Sequence, residues 1–151
     1  MSRRIALSVV AGVVALGGAG AFALAYAGEP QAPTLTHSEA RYVAPAGDRD
    51  GSLTFTTDVS SGTKVKSVKV LAWPEDSSFA RQRLTEKDMA AVESAVCEPA
   101  GKDTVRCSYG PAVTRDDAEG SPRGLWHFAV MATTTDGTRT LDTEAADFTI
   151  G

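Results

Sequence analysis

Gly124-Leu-Trp-His-Phe-Ala-Val-Met-Ala-Thr-Thr-Thr-Asp-Gly-Thr-Arg-Thr-Leu-Asp-Thr-Glu-Ala-Ala-Asp-Phe-Thr-Ile-Gly151 decides the fold class. Trp126, Phe128, Val130 and Ala132 alternate with His127, Ala129, Met131 and Thr133, the period of a half-buried β-strand. Asp136-Gly137 is a residue pair that a two-residue hairpin turn accepts readily, so the stretch predicts a closing β-hairpin, with Phe148 and Ile150 facing inward. Trp126, Phe128 and Val130 are expected to meet Phe55, Val68 and Val70 across a sandwich. None of this pattern contains reactive chemistry.

Strand signals continue upstream. Leu53, Phe55, Thr57 and Val59 alternate with Thr54, Thr56 and Asp58. In Val65 to Trp73, Val68, Val70 and Ala72 fall on one face and Leu71 and Trp73 on the other, which predicts a cover on the far face from the segment that follows. Thr34 to Val43 reads as an edge strand, and Pro45, Gly47, Asp48, Asp50 and Gly51 as a turn. Asp48-Arg-Asp-Gly51 fails as a calcium loop, because Leu53 and Val59 stand where Gly and Glu are required. Thr85-Glu-Lys-Asp88 has the spacing of a helix cap, and Met89, Val92 and Val96 recur at helical intervals, so a short helix is expected over 85–96, packed near Trp73. Glu98 to Asp103 reads as a loop. Thr104 to Tyr109 reads as a strand with Val105, Cys107 and Tyr109 inward, and Arg115 to Gly124 as a polar loop. The expected fold is therefore mainly β: an immunoglobulin-like antiparallel β-sandwich of about six to seven strands with one short inserted helix, over residues 34–151.

The first 27 residues have another composition. Arg3 and Arg4 precede an uncharged run from Ile5 to Ala27 that ends in Ala25-Tyr-Ala27, the small-residue pattern of a signal-peptidase site. Residues 1–27 are read as a signal peptide cleaved after Ala27, the alternative being an uncleaved anchor, and residues 28–33 as a flexible lead-in. Export places Cys97 and Cys107 in an oxidising compartment, where a disulfide closing so short a loop contributes about 2.5 to 3 kcal/mol on the chain-entropy model. No Cys-x-x-Cys spacing supports a metal or redox site there. With Arg3 and Arg4 set aside from fifteen basic residues, thirteen face nineteen acids and the mature charge is −6. That balance disfavours nucleic acid and an anionic membrane as main partners.

Catalytic motifs are absent from the sequence: His37 and His127 are the two histidines, and neither a Gly-x-Ser-x-Gly elbow nor a His-Glu-x-x-His pair occurs. Asp116 and Asp117 are adjacent rather than placed across a cleft. No cofactor or metal is expected. The connection from Trp73 to Arg83 combines two aromatics and two arginines, and Trp73, Phe79, Arg81 and Arg83 form the candidate interaction loop. The bland alternative has Trp73 and Phe79 capping the core. The expected function is a secreted, monomeric, non-catalytic binding module for an extracellular protein or cell-wall component. A protease inhibitor presenting Arg81 or Arg83 from the 74–84 loop is a second reading, and a cell-wall hydrolase a third.

Leu71-Ala-Trp-Pro74, Leu84-Thr-Glu-Lys-Asp-Met89, the Cys97 and Cys107 pair, Gly101-Lys-Asp-Thr104 and Pro122-Arg-Gly-Leu-Trp-His127 resemble a family of small secreted actinobacterial proteins, domain of unknown function family 5707. The resemblance implies export and the domain boundaries, and it transfers no site residue.

Overall fold

Strands that alternate in polarity bury one face only by meeting a second layer, and that is how this chain resolves its pattern. The computed structural model describes residues 30–151, of which 32–151 form one compact unit. The expected signal peptide lies outside the described residues. The strands are β1 (Thr34–Val43), β2 (Gly51–Ser60), β3 (Val65–Pro74), β4 (Val96–Gly101), β5 (Thr104–Tyr109), β6 (Ala112–Val113), β7 (Gly124–Thr134) and β8 (Arg139–Ile150). One sheet has the order β1-β2-β5-β4, with β6 pairing to β2, and the other the order β3-β7-β8. All pairings are antiparallel. The fold is a two-sheet antiparallel β-sandwich.

Between the sheets lies an aromatic core. Phe55 of β2 meets Phe128 of β7 with ring centroids 4.7 Å apart, and Phe148 of β8 approaches Phe128 at 5.5 Å and Trp126 at 5.8 Å. Val59, Val68, Val70, Val130 and Ala132 complete it, all almost fully buried. Phe55 meets Phe128 across the sandwich as expected. Val68 and Val70 do not lie opposite β7; they pair with Ala132 and Val130 in the same sheet. Gly51 allows β2 to start close beneath the end of β1, where a Cβ would stand 2.1 Å from the Val43 carbonyl oxygen.

The closing hairpin forms, but its loop holds three residues rather than two. The Thr134 amide bonds the Thr138 carbonyl at 3.0 Å, and the Gly137 amide bonds the Thr134 carbonyl at 3.0 Å. Gly137 takes φ +88°, the left-handed position that such a loop assigns to glycine. The Asp136 carboxylate accepts from the Thr134 and Thr138 hydroxyls, the Thr138 amide and the Thr63 hydroxyl. These bonds, led by that from Thr134, hold the Asp136 carboxyl down to about 2.

Cys97 and Cys107 are bonded, as expected, but as directly opposed residues of β4 and β5 with Cα atoms 4.0 Å apart. The expected loop over 98–103 is therefore mostly strand, and the bridge fastens the edge strand β4 to β5.

The expected helix over 85–96 is not formed. Thr85 and Asp88 do bond, the Thr85 amide and hydroxyl donating to Asp88 Oδ2 at 2.8 and 2.7 Å, but only one turn of 3-10 helix follows, Asp88–Ala91, and its N-cap is Lys87, without a side-chain cap. At Val92 the backbone turns extended (ψ 173°). The Glu93 carbonyl then accepts from the Val70 amide and the Ala95 amide donates to the Val68 carbonyl, both at 2.9 Å. Continuing the helix would leave these β3 edge groups without partners, a cost the extended path removes. The inserted α-helix is instead α1 (Arg115–Gly120), in the expected polar loop, where Thr114 and Asp117 form a reciprocal capping box.

Candidate functional site

Because β3 and β7 are apolar on both faces, the outer face of their sheet needs a cover, and residues 75–95 supply it. Trp73, Leu84, Met89, Ala129 and Met131 form a second buried cluster, with Leu71, Phe79, Val92 and Leu141 packed against it. Trp73 is 4% exposed, so its ring belongs to this cluster. Its indole Nε1 donates to the Thr143 carbonyl at 3.0 Å, and its ring lies 4.6 Å from that of His127.

Thr143 can accept that bond because β8 bulges: Phe128 pairs with Ala146 and Val130 with Asp142, leaving residues 143–145 opposite Ala129 alone. The Asp142 side chain accepts from the Glu144 amide at 3.0 Å and fixes the bend. The bulge leans β8 toward the 78–84 connection, and between them opens a groove of about 560 Å³. Trp73 lines it, with Phe79 and Arg83 on one side and Leu141, Thr143 and Glu144 on the other. Neither Arg83 nor Glu144 is ion-paired among the described residues. The result is a groove whose exposed lining is mostly polar, with the Trp73 ring buried at its base and, among the described residues, two unpaired charges of opposite sign at its sides.

Of the expected interaction residues, Trp73, Phe79 and Arg83 thus converge on one groove, whereas Arg81 is exposed and outside its lining. Leu141, Thr143 and Glu144 were not expected here; the available signal was Asp142 two residues before Glu144, an Asx-turn acceptor inside an otherwise regular strand. The Ser78–Ala80 stretch is wound into a 3-10 turn and Arg81 is αR (φ −96°, ψ −34°), not extended.

His127 is 7% exposed and its Nδ1 bonds Asp147 Oδ1 at 2.7 Å. A carboxylate only accepts, so Nδ1 carries the hydrogen. His127 thus forms a half-buried bond between β7 and β8 beside Trp73. On the opposite sheet, Asp58 accepts two bonds from Arg106 at 2.8 and 3.0 Å, with His37 3.2 Å away. The Arg106 hydrogen bond keeps the Asp58 carboxyl below its ordinary range. This ladder ties β1, β2 and β5 together, and His37 (φ 52°) sits at the β1 bulge. No group of three metal-ligating side chains occurs among the described residues.

Fold and groove together define a disulfide-bonded β-sandwich domain with one covered outer face. Residues 35–132, more than half the chain, match the model described as Family of unknown function (DUF5707), and the chain belongs to that family. No curated protein matches it. Among the described residues, no helix is long and apolar enough to cross a membrane.

Proposed function

We propose that the protein is a secreted, non-catalytic binding module that engages an extracellular protein or cell-wall component through the Trp73–Glu144 groove. The observation that carries this reading is the groove itself: the β8 bulge and the 78–84 turn set Phe79, Arg83, Leu141 and Glu144 around the Trp73 ring. Such a groove suits a guest with polar groups, because its exposed lining is mostly polar and the opposite charges of Arg83 and Glu144 orient what enters. The strand orders β1-β2-β5-β4, with β6 added on β2, and β3-β7-β8 support the reading further, since apart from β6 they are similar to the arrangement of constant-type immunoglobulin domains, a scaffold that works through loops and faces. His127 is bonded to Asp147 and tilted against the Trp73 ring, so its side chain is engaged in holding β7 beside β3 and β8. Export is supported by the Ala25-Tyr-Ala27 pattern and by the disulfide.

Capture of culture-supernatant and wall fractions on the immobilised protein provides the test. The double variant Phe79→Ser/Arg83→Gln is expected to lose the captured component, while Arg81→Gln, outside the groove, keeps it. Equal capture by the wild type and the double variant excludes this groove as the binding surface.

A further inference from the structure

The outer face of the β3-β7-β8 sheet has a second opening, at the hairpin-tip end, with different chemistry. The strand register aligns Ser67, Thr133 and Arg139 in one row and Lys69, Met131 and Leu141 in the next. The Thr85–Ala90 stretch borders these rows, and a groove of about 760 Å³ lies between them. Four of its lining side chains are cations, Lys66, Lys69, Lys87 and Arg139, and one is an acid, Glu86. In a chain with nineteen acids against fifteen bases, that concentration runs against the overall charge.

Only one of the four positive charges is cancelled locally. Glu86 pairs with Arg139 at 2.8 Å. Lys66, Lys69 and Lys87 have no carboxylate within ion-pair distance among the described residues. Lys69 Nζ donates to the Val92 carbonyl at 3.0 Å, a neutral acceptor that orients the ammonium and leaves its charge intact. Lys66 and Lys87 are exposed, and neither belongs to the buried clusters, so core packing does not explain why they are grouped. Like charges gathered in one groove repel one another, and an anion seated there removes the repulsion.

We propose that this groove binds a linear polyanion, a flexible chain with repeated phosphate or carboxylate groups. Lysine heads are compact point charges, suited to several undirected contacts along a chain rather than to the forked recognition of one planar anion. The hydroxyls of Ser67 and Thr133 on the floor add hydrogen-bond donors for oxyanions. The site is independent of the Trp73–Glu144 groove.

Titration of the full chain with inorganic polyphosphate and with polygalacturonate, at several salt concentrations, tests the proposal and separates the two sources of anion. Binding to at least one polymer at low salt is expected, weakening as salt rises. Lys66→Gln/Lys87→Gln is expected to weaken that binding about tenfold. For polyphosphate, the slope of log K against log salt should also become shallower by about 1.4, from roughly 0.7 per lost contact. Lys102→Gln, on the β4–β5 turn of the opposite sheet, leaves both quantities unchanged. The proposal is overturned if neither polymer binds at low salt, if the double variant keeps the wild-type affinity and slope, or if Lys102→Gln weakens binding as much as the double variant.

Discussion

The same strand, β7, builds two hydrophobic regions by different means. Toward β2 it presents Phe128, Val130 and Ala132, which meet side chains from regular strands of both sheets, Phe55 of β2 and Phe148 of β8 among them. Outward it presents Ala129 and Met131, which meet a segment with two short 3-10 turns and few backbone bonds to the sheet. The regular side is packed with aromatic and β-branched groups. The irregular side uses a small residue and flexible methionines, Met89 and Met131, which fill spaces that no repeating geometry defines. Regular pairing fixes the inter-sheet core, whereas the outer cluster depends on a covering strap, and both candidate grooves lie along that strap.

Truncation separates the two regions most sharply. Phe128→Ala removes a fully buried ring in contact with Phe55, Phe148 and Tyr109 and is expected to cost about 3 to 5 kcal/mol, read by denaturant unfolding. Met89→Ala also empties a fully buried site, yet should cost only about 2 kcal/mol, because the strap can settle into part of the space. Amide exchange sharpens the contrast: Phe128→Ala lowers protection throughout the domain, Met89→Ala chiefly in 75–95. Uniform loss in both variants would show the two regions to be one cooperative unit.

The inter-sheet core was legible in the sequence because strand alternation is local: Phe55, Phe128, Phe148 and Ile150 declare their face by position alone. The outer cluster was legible only in part. That β3 needs a cover follows from Leu71 and Trp73, and Met89 and Val92 do pack there. The form of the cover was not legible. Thr85-x-x-Asp88 and Thr114-x-x-Asp117 share one capping signature, yet only the second opens an α-helix. After Asp88 the unpaired edge of β3 competes for Glu93 and Ala95, a tertiary demand that no local spacing reveals. The groove was half legible for the same reason, since Trp73, Phe79 and Arg83 are near in sequence while Thr143 and Glu144 arrive through a bulge in a distant strand.

Acid offers a gentler way to divide the regions, since each owns a carboxylate lowered by hydrogen bonds. Asp136 ties the hairpin tip to Thr63, and Asp88 binds Thr85 within the strap, its carboxyl held down first by the Thr85 hydroxyl. For Asp136 the folded value, about 2, lies below the ordinary 3.8. Its stabilising contribution is therefore complete above the unfolded value and is lost as pH falls through the folded one. Asp136→Asn should be less stable than wild type at neutral pH, by less than the Met89 truncation. The difference should shrink progressively between about pH 4 and pH 2. A difference that stays constant across that window would mean the carboxylate charge contributes nothing to the hairpin tip.

The smallest expected effect concerns Ser77, at the start of the strap. Its Oγ is buried without a hydrogen-bond partner among the described residues, while its backbone is satisfied, with the amide bonding the Pro74 carbonyl at 2.9 Å and the carbonyl accepting from the Ala80 amide at 3.2 Å. A buried hydroxyl without a partner has lost its hydration and gained nothing in return. Ser77→Ala keeps the backbone bonds and removes that unpaired group, so unfolding free energy should be unchanged or raised, by no more than about 1 kcal/mol. The same substitution at Thr134, whose hydroxyl bonds Asp136 and Thr138, has the opposite sign because it leaves partners unmet. If Ser77→Ala destabilises the domain, the hydroxyl has a partner that holds the strap, and the covered face is polar-anchored as well as hydrophobic.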